Sequence, residues 1–180
     1  MELVTVGHGT LDAEAFRRLL LDAGVALVVD VRRHPGSRRH PHVARDALRA
    51  SLAEAGIDYR WEPALGGRRR GVPGSPHVAL RDAAFRAYAD HMETREFRDA
   101  LTAVLDEAAQ RRTAVLCAES LWWRCHRRLI ADAAALLHGA DVRHLRHDGS
   151  LEPHVPTEGV RRDGDRLVYD AGTLPLPEPD

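Results

Sequence analysis

Residues Val25-Ala26-Leu27-Val28-Val29-Asp30-Val31 form a nearly unbroken apolar run with one carboxylate near its end. A strand with one wet face alternates apolar and polar residues. A strand apolar on both faces has to be covered on both, as in the middle of a parallel sheet. This run therefore demands helices on either side of it, and the chain supplies them.

Leu3 to Val6 is a shorter apolar run that ends at Gly7-His8-Gly9. A helix capped by Thr10 or Asp12 should follow, with Phe16, Leu19, Leu20 and Ala23 on one face and Gly24 stopping it. A second helix is expected near Ala44 to Ala55, and a third strand over Ile57 to Trp61. Residues 62–80 are rich in Gly, Pro and Arg and read as a long loop of the kind that is often functional. Helices near 82–92 and 94–110, a strand over Thr113 to Cys117, a helix near 124–138 and a short strand over Val142 to Leu145 complete the pattern. Arg166 to Tyr169 is expected to add an edge strand or hairpin. The division expected is one α/β domain over 1–150, a C-terminal extension packed on it over 151–173, and a loose Pro-rich tail over 174–180.

Strands alternating with helices predict a three-layer, Rossmann-like sandwich with a mostly parallel sheet, and we expect the strand order 3-2-1-4-5. Ligands of such sheets sit beyond the carboxyl ends of the strands, where strand order reverses. Polar residues are concentrated there: His8 after the first strand, Asp30 and Arg32 after the second, Cys117 and Glu119 after the fourth. In the expected order, His8 and Cys117 face each other across one crevice.

Charge narrows the partners. The net charge of −1 excludes the large positive field of a dedicated nucleic-acid binder. No apolar run approaches the roughly 20 residues of a membrane span, and the N-terminus has no basic leader, so the cytoplasm is the expected compartment. The two cysteines are then expected as thiols. All 26 basic residues are arginine, which GC-rich base composition explains. They nevertheless cluster at Arg32-Arg33, Arg38-Arg39, Arg68-Arg69-Arg70 and Arg124 with Arg127-Arg128, and guanidinium groups bind phosphate or carboxylate bidentately.

Several side chains have two readings each. Asp30 either pins the loop through Arg32 or orients a substrate or His8. Cys117 sits just before a helix with arginines in its first turn, which favours a thiolate nucleophile, but it is also a good small core residue. Glu119 is a general base or acid, or an arginine partner. Arg124, Cys125, His126 and Arg127, near the start of a helix, form a site for an anion. Ser37 and Arg38 in one basic loop, and Gly66, Gly67 and Arg68 in another, let backbone and charge approach a ligand. Trp122 and Trp123 stack on a base or anchor their loop. Zinc would accept His8, Cys117, Cys125 and His126, but structural zinc sites show short paired spacings such as C-x₂-C. One cysteine pair separated by seven residues lacks them, so no metal and no cofactor is expected.

These motifs together resemble a bacterial and archaeal family, domain of unknown function 488. The marks are Val-Gly-His-Gly-Thr at 6–10, Asp30-Val31-Arg32 with Pro35 and Ser37, Leu65-Gly66-Gly67, Tyr88-Ala89-Asp90-His91-Met92 with Phe97, Leu116-Cys117-Ala118-Glu119, and Cys125-His126-Arg127. The resemblance spans about residues 3–146; it implies a fold and a site that includes Tyr88, and no particular reaction. One departure is Gly9, where the family usually carries serine. A fainter likeness is to rhodanese-type sulfurtransferases and cysteine phosphatases, which share an Asp-x-Arg and a later strand-end cysteine. Here the loop after Cys117 is long and contains Glu119 and two tryptophans in place of the small residues of an anion-holding loop.

The leading expectation is an enzyme acting on an anionic substrate, whether phosphorylated small molecule, nucleotide or nucleic acid. Glu119 and His8 would handle protons, Asp30 and Arg32 would orient them, and Arg124, Arg127 and the basic loops would hold the anion. The alternatives are a thiol-dependent transferase using Cys117, and a non-catalytic nucleic-acid-binding or adaptor module using Arg38, Arg39 and Arg68 to Arg70.

Overall fold

The structure is a computed structural model that describes residues 1–36 and 40–171. Ser37, Arg38, Arg39 and the expected tail at 174–180 lie outside the described residues. Six strands form the main sheet: β1 (Glu2–Gly7), β2 (Leu27–Asp30), β3 (Asp58–Trp61), β4 (Thr113–Cys117), β5 (Asp141–Leu145) and β6 (Leu151–Pro153). The first five are parallel, and β6 runs antiparallel to β5. Helices α1 (Ala13–Asp22) and α2 (Arg45–Glu54) cover one face, while α3 (Ala83–Met92), α4 (Arg95–Gln110) and α5 (Arg127–His138) cover the other. This is the expected three-layer, Rossmann-like sandwich.

Strand periodicity assigns the two cores. Leu27, Val29, Val115 and Cys117 point toward α3–α5 and pack with Tyr88, Leu101, Val104 and Leu129. Their alternates Val28, Ala114 and Leu116 point toward Phe16, Leu20, Leu48 and Leu52 of α1 and α2. The helix ends follow local chemistry. Asp12 caps α1 by accepting from the Ala15 amide, and Asp82 and Thr94 cap α3 and α4 in the same way. Gly139, at φ 67°, closes α5 in the left-handed conformation that glycine favours. Among the described residues no helix is long and apolar enough to cross a membrane.

The strand order is β3-β2-β4-β1-β5-β6, not the expected 3-2-1-4-5. Strands β1 and β4 are both apolar on both faces and nearly fully buried, so hydrophobicity cannot decide which lies beside β2. The long connection through α3 and α4 permits either order; here it carries the chain back across β2 and places β4 between β2 and β1. Gly7 consequently lies opposite Cys117, and Asp30 lies opposite Leu116. The carboxyl ends of β2, β4 and β1 are therefore contiguous, with β4 in the centre.

The C-terminal segment adds a separate hairpin of β7 (Val160–Asp163) and β8 (Arg166–Tyr169). It is anchored by a buried polar network. Asp132 of α5, wholly buried, accepts from the Tyr169 hydroxyl at 3.1 Å, from His154 Nε2 at 2.9 Å and from the Thr157 amide at 2.9 Å. The His154 ring meets His144 Nε2 at 3.0 Å, and His144 Nδ1 meets Thr5 Oγ1 at 2.7 Å. Trp122 stacks on His144, with ring centroids 4.0 Å apart.

Burial, with the neighbouring His154 and Arg127 adding to it, holds the His144 pKa down at about 3 from an ordinary 6.5. The unfolded chain thus takes up a proton on this ring near pH 6.5, and the folded chain does so only near pH 3. Stability from the neutral ring is complete above pH 6.5 and declines as pH falls toward 3. Urea unfolding across that range should show a shallower acid loss for His144→Gln than for the wild type, whatever the variant's stability at neutral pH.

Candidate functional site

Immediately after β2, Arg32 folds back on Asp30. Its Nε donates to Asp30 Oδ1 at 2.9 Å and its Nη2 to Oδ2 at 2.6 Å, while the Arg32 amide also bonds Oδ1. The Tyr59 hydroxyl of β3 donates to the same carboxylate at 2.7 Å. Asp30 is fully buried and Arg32 nearly so, making this a bidentate ion pair sealed at the sheet end. The remaining Arg32 Nη1 donates to His8 Nε2 at 3.3 Å.

His8 is thereby fixed. Its Nδ1 donates to the Gly9 carbonyl at 2.9 Å, and its amide donates to the Cys117 carbonyl at 3.2 Å. Burial lowers the ring's pKa to about 4, with the Gly9 bond opposing and the Arg32 charge assisting, so the ring is neutral at physiological pH. No crevice separates His8 from Cys117, contrary to the expectation built on the other strand order. Both ring nitrogens are engaged, and His8 does not line the nearby cavity.

That cavity, about 470 Å³, opens above the ends of β2 and β4 on the α3–α5 side. Of the residues singled out by sequence, Arg32, Gly67, Arg68, Tyr88, Cys117, Glu119, Arg124, Cys125 and His126 all line it. Arg33, His34 and Gly36 join from the first basic loop, and Asp82, Ala84 and Phe85 from the start of α3. The α3 residues were missed because a helix start after a long Gly/Pro loop carries no sign of what it faces. Their one legible clue is spacing: Ala84 and Tyr88 share a helix face.

The other expected site residues support the wall from behind. Gly66 is buried at the turn that the Tyr88 hydroxyl holds by donating to the Leu65 carbonyl at 2.7 Å. Arg69 donates to the carbonyls of Pro63, Ala64 and Gly66, so it clamps the loop. Arg127 is 1% exposed, which removes it from the expected anion-holding group. Its guanidinium donates to the carbonyls of Glu119 and Ser120 and, at 3.3 Å, to Thr5 Oγ1. Gly7 makes room for this arrangement, since a β-carbon there would lie 1.8 Å from the Glu119 carbonyl oxygen. At Gly9, with φ 53°, a β-carbon would lie 2.1 Å from Ser120 Oγ, so any other residue needs both a strained backbone and a shift of Ser120. Trp122 anchors its loop on His144, and Trp123 is half out in solvent.

The floor of the cavity holds three soft donors. Cys117 Sγ and Cys125 Sγ are 3.0 Å apart, and His126 Nδ1 lies 3.9 Å from the first and 3.6 Å from the second. The shared hydrogen bond and burial push the Cys117 thiol up to about 12. Burial also pushes the Cys125 thiol up, but the bond to Cys117 and the Arg127 guanidinium and amide outweigh it, holding it at about 6. These surroundings favour the protonated form of Cys117. Around the rim, the Glu119 carboxylate and the Arg68 and Arg124 guanidinium groups make no hydrogen bond or ion pair among the described residues.

An open parallel sheet with a polar cavity over the carboxyl ends of its central strands is the ligand-crevice arrangement of α/β proteins. Residues 12–134 match the family described as domain of unknown function DUF488, and the chain belongs to that family. No curated protein and no solved structure matches it.

Breaking the Asp30–Arg32 pair should show how much the site depends on it. Asp30→Asn leaves a nearly buried guanidinium without its counter-charge and should cost about 3–5 kcal/mol in urea unfolding. The Asp30→Asn, Arg32→Met double variant should regain a large part of that loss.

Proposed function

We propose that the protein is an enzyme acting on an anionic substrate, of the phosphorylated or nucleotide class, in the cavity above β2 and β4. One observation carries this reading: the Glu119 carboxylate and the Arg68 and Arg124 guanidinium groups, none of them paired among the described residues, converge on one cavity. All three groups are exposed and solvated rather than held by a partner among the described residues, so a ligand entering the cavity can engage them without breaking an ion pair.

In this reading Arg68 and Arg124 hold the anion and Glu119 transfers the proton. Arg68 sits at the end of a loop whose carbonyls are fixed by Arg69, Tyr88 and Arg33. That rigidity lowers the ordering cost of holding an anion. Glu119 is exposed at the cavity edge while its own backbone is gripped by Arg127. A side chain free to move on an anchored backbone suits a proton-transfer group. His8 and Asp30 act through Arg32, as positioning residues, because neither lines the cavity. A cavity of this size accommodates a nucleotide-sized ligand.

Calorimetric titration with inorganic pyrophosphate, and a turnover screen over nucleotides and phosphate monoesters, test the reading. Arg68→Ala and Arg124→Ala should each weaken pyrophosphate binding roughly tenfold, as loss of one charged hydrogen bond predicts. Glu119→Gln should keep pyrophosphate affinity and lower turnover by about 10²–10⁴. Absence of pyrophosphate binding, or a Glu119→Gln variant with wild-type turnover, would overturn it.

A further inference from the structure

The three donors on the cavity floor have no role in the scheme above. Cys117 closes β4, Cys125 ends the short turn over Trp122–Arg124, and His126 caps α5, so three successive structural features aim two sulfurs and one imidazole nitrogen at a common point. All three donor atoms lie within 4.8 Å of one another. All three residues also line the cavity, so one side of the common point faces its interior.

We infer that Cys117, Cys125 and His126 form a binding site for a divalent zinc-class ion, with its fourth coordination position open to the cavity. Two thiolates and an imidazole are the donor set of a catalytic rather than a structural zinc site, which has three protein ligands and leaves one position for water or substrate. The missing C-x₂-C spacing argues only against a closed four-ligand site. In this protein the fold, not a short loop, brings the cysteines together, because β4 and the start of α5 are fixed by the sheet and the core. Bonds of about 2.3 Å to sulfur and about 2.0 Å to nitrogen fit the three donors once the sulfur pair opens by a fraction of an ångström.

The surroundings agree with that assignment. His126 Nε2 is buried without a hydrogen-bond partner, so the ring's only directed interaction is through Nδ1 toward the two sulfurs. The ring is held from two sides, by Tyr88 with centroids 5.0 Å apart and by the backbone at Gly67, where a β-carbon would lie 3.1 Å from Nδ1. Arg127, buried with no carboxylate partner among the described residues, adds a positive charge next in sequence to the Cys125–His126 pair, which suits anionic sulfur ligands. Two thiolates balance the ion's two charges, which leaves Arg68 and Arg124 electrostatically free for an anion.

Binding replaces two S–H bonds by two metal–sulfur bonds, releases the thiol protons to solvent, and involves no oxidation or reduction. A water in the fourth position gains the acidity to serve as a nucleophile toward an ester of the bound anion. That use of the ion rests on the anionic-substrate reading; the site itself rests on the three donors alone.

Titration of the full, reduced chain with Co²⁺ under anaerobic conditions is the direct test, followed by competition with Zn²⁺. The expected result is one ion per chain, with sulfur-to-cobalt charge-transfer absorbance and the intense visible bands of tetrahedral cobalt, both abolished by equimolar Zn²⁺. Cys117→Ser, Cys125→Ser and His126→Asn should each weaken Co²⁺ binding by more than the roughly 100-fold typical of an outer-shell change. Circular dichroism identifies any variant that fails to fold, and His126→Asn, which changes only the half-buried ligand, then decides. Glu119→Gln should keep the wild-type spectrum, so that failure of the proton-transfer reading and failure of the metal site are told apart. The inference is overturned by absence of stoichiometric binding, by an octahedral spectrum insensitive to the ligand variants, or by joining of Cys117 and Cys125 in a disulfide that forms despite the metal.

Discussion

A guanidinium sealed inside a protein has to be given partners, and the way Arg127 is given them organises this molecule. It is the largest fully buried side chain and has no carboxylate partner among the described residues. Its donors instead reach the carbonyls of Glu119 and Ser120 just beyond β4 and the hydroxyl of Thr5 within β1. Moving any of these partners would leave charge unsatisfied in a medium of low polarity. The segment carrying Glu119 is therefore held against β1, and Gly7 is what allows it so close.

A second lock works on the other side of β4. Asp30 ties Arg32 back to the end of β2, Arg32 ties His8, and His8 ties itself to the backbone of β1 and β4. The ends of β2, β4 and β1 are thus bound into one plate, from which only selected side chains project into the cavity. A division follows: the buried Asp30, Arg32 and Arg127 are paired or bonded to carbonyls, while Glu119, Arg68 and Arg124 have no partner among the described residues. In the proposed function, ligand chemistry belongs to the second group and rigidity to the first.

The sequence made much of this legible, for identifiable reasons. Continuous apolar runs located β1, β2 and β4, helical periodicity located five helices, and polar residues clustered after the strands pointed to the site's side of the sheet. Strand order was not legible, because β1 and β4 present the same two-sided hydrophobicity and the long connection between β3 and β4 allows either arrangement. Burial of particular polar groups was equally hidden. Nothing local distinguishes Arg127, enclosed and bonded to carbonyls, from Arg124 three residues earlier, exposed at the rim. Nor does anything local show that the Arg32 guanidinium occupies Nε2 of His8. Spacing likewise concealed the convergence of Cys117, Cys125 and His126, which the fold rather than a short loop produces.

The central claim is that ligands enter above β2 and β4, between the basic loops and the start of α5. Backbone amide mapping by nuclear magnetic resonance during pyrophosphate titration tests it most directly. The account predicts saturable shifts at residues 33–36, 66–68 and 117–126. Shifts gathered instead around the wider groove of Val78, Trp123 and Val155, or no saturable shifts at all, would contradict it.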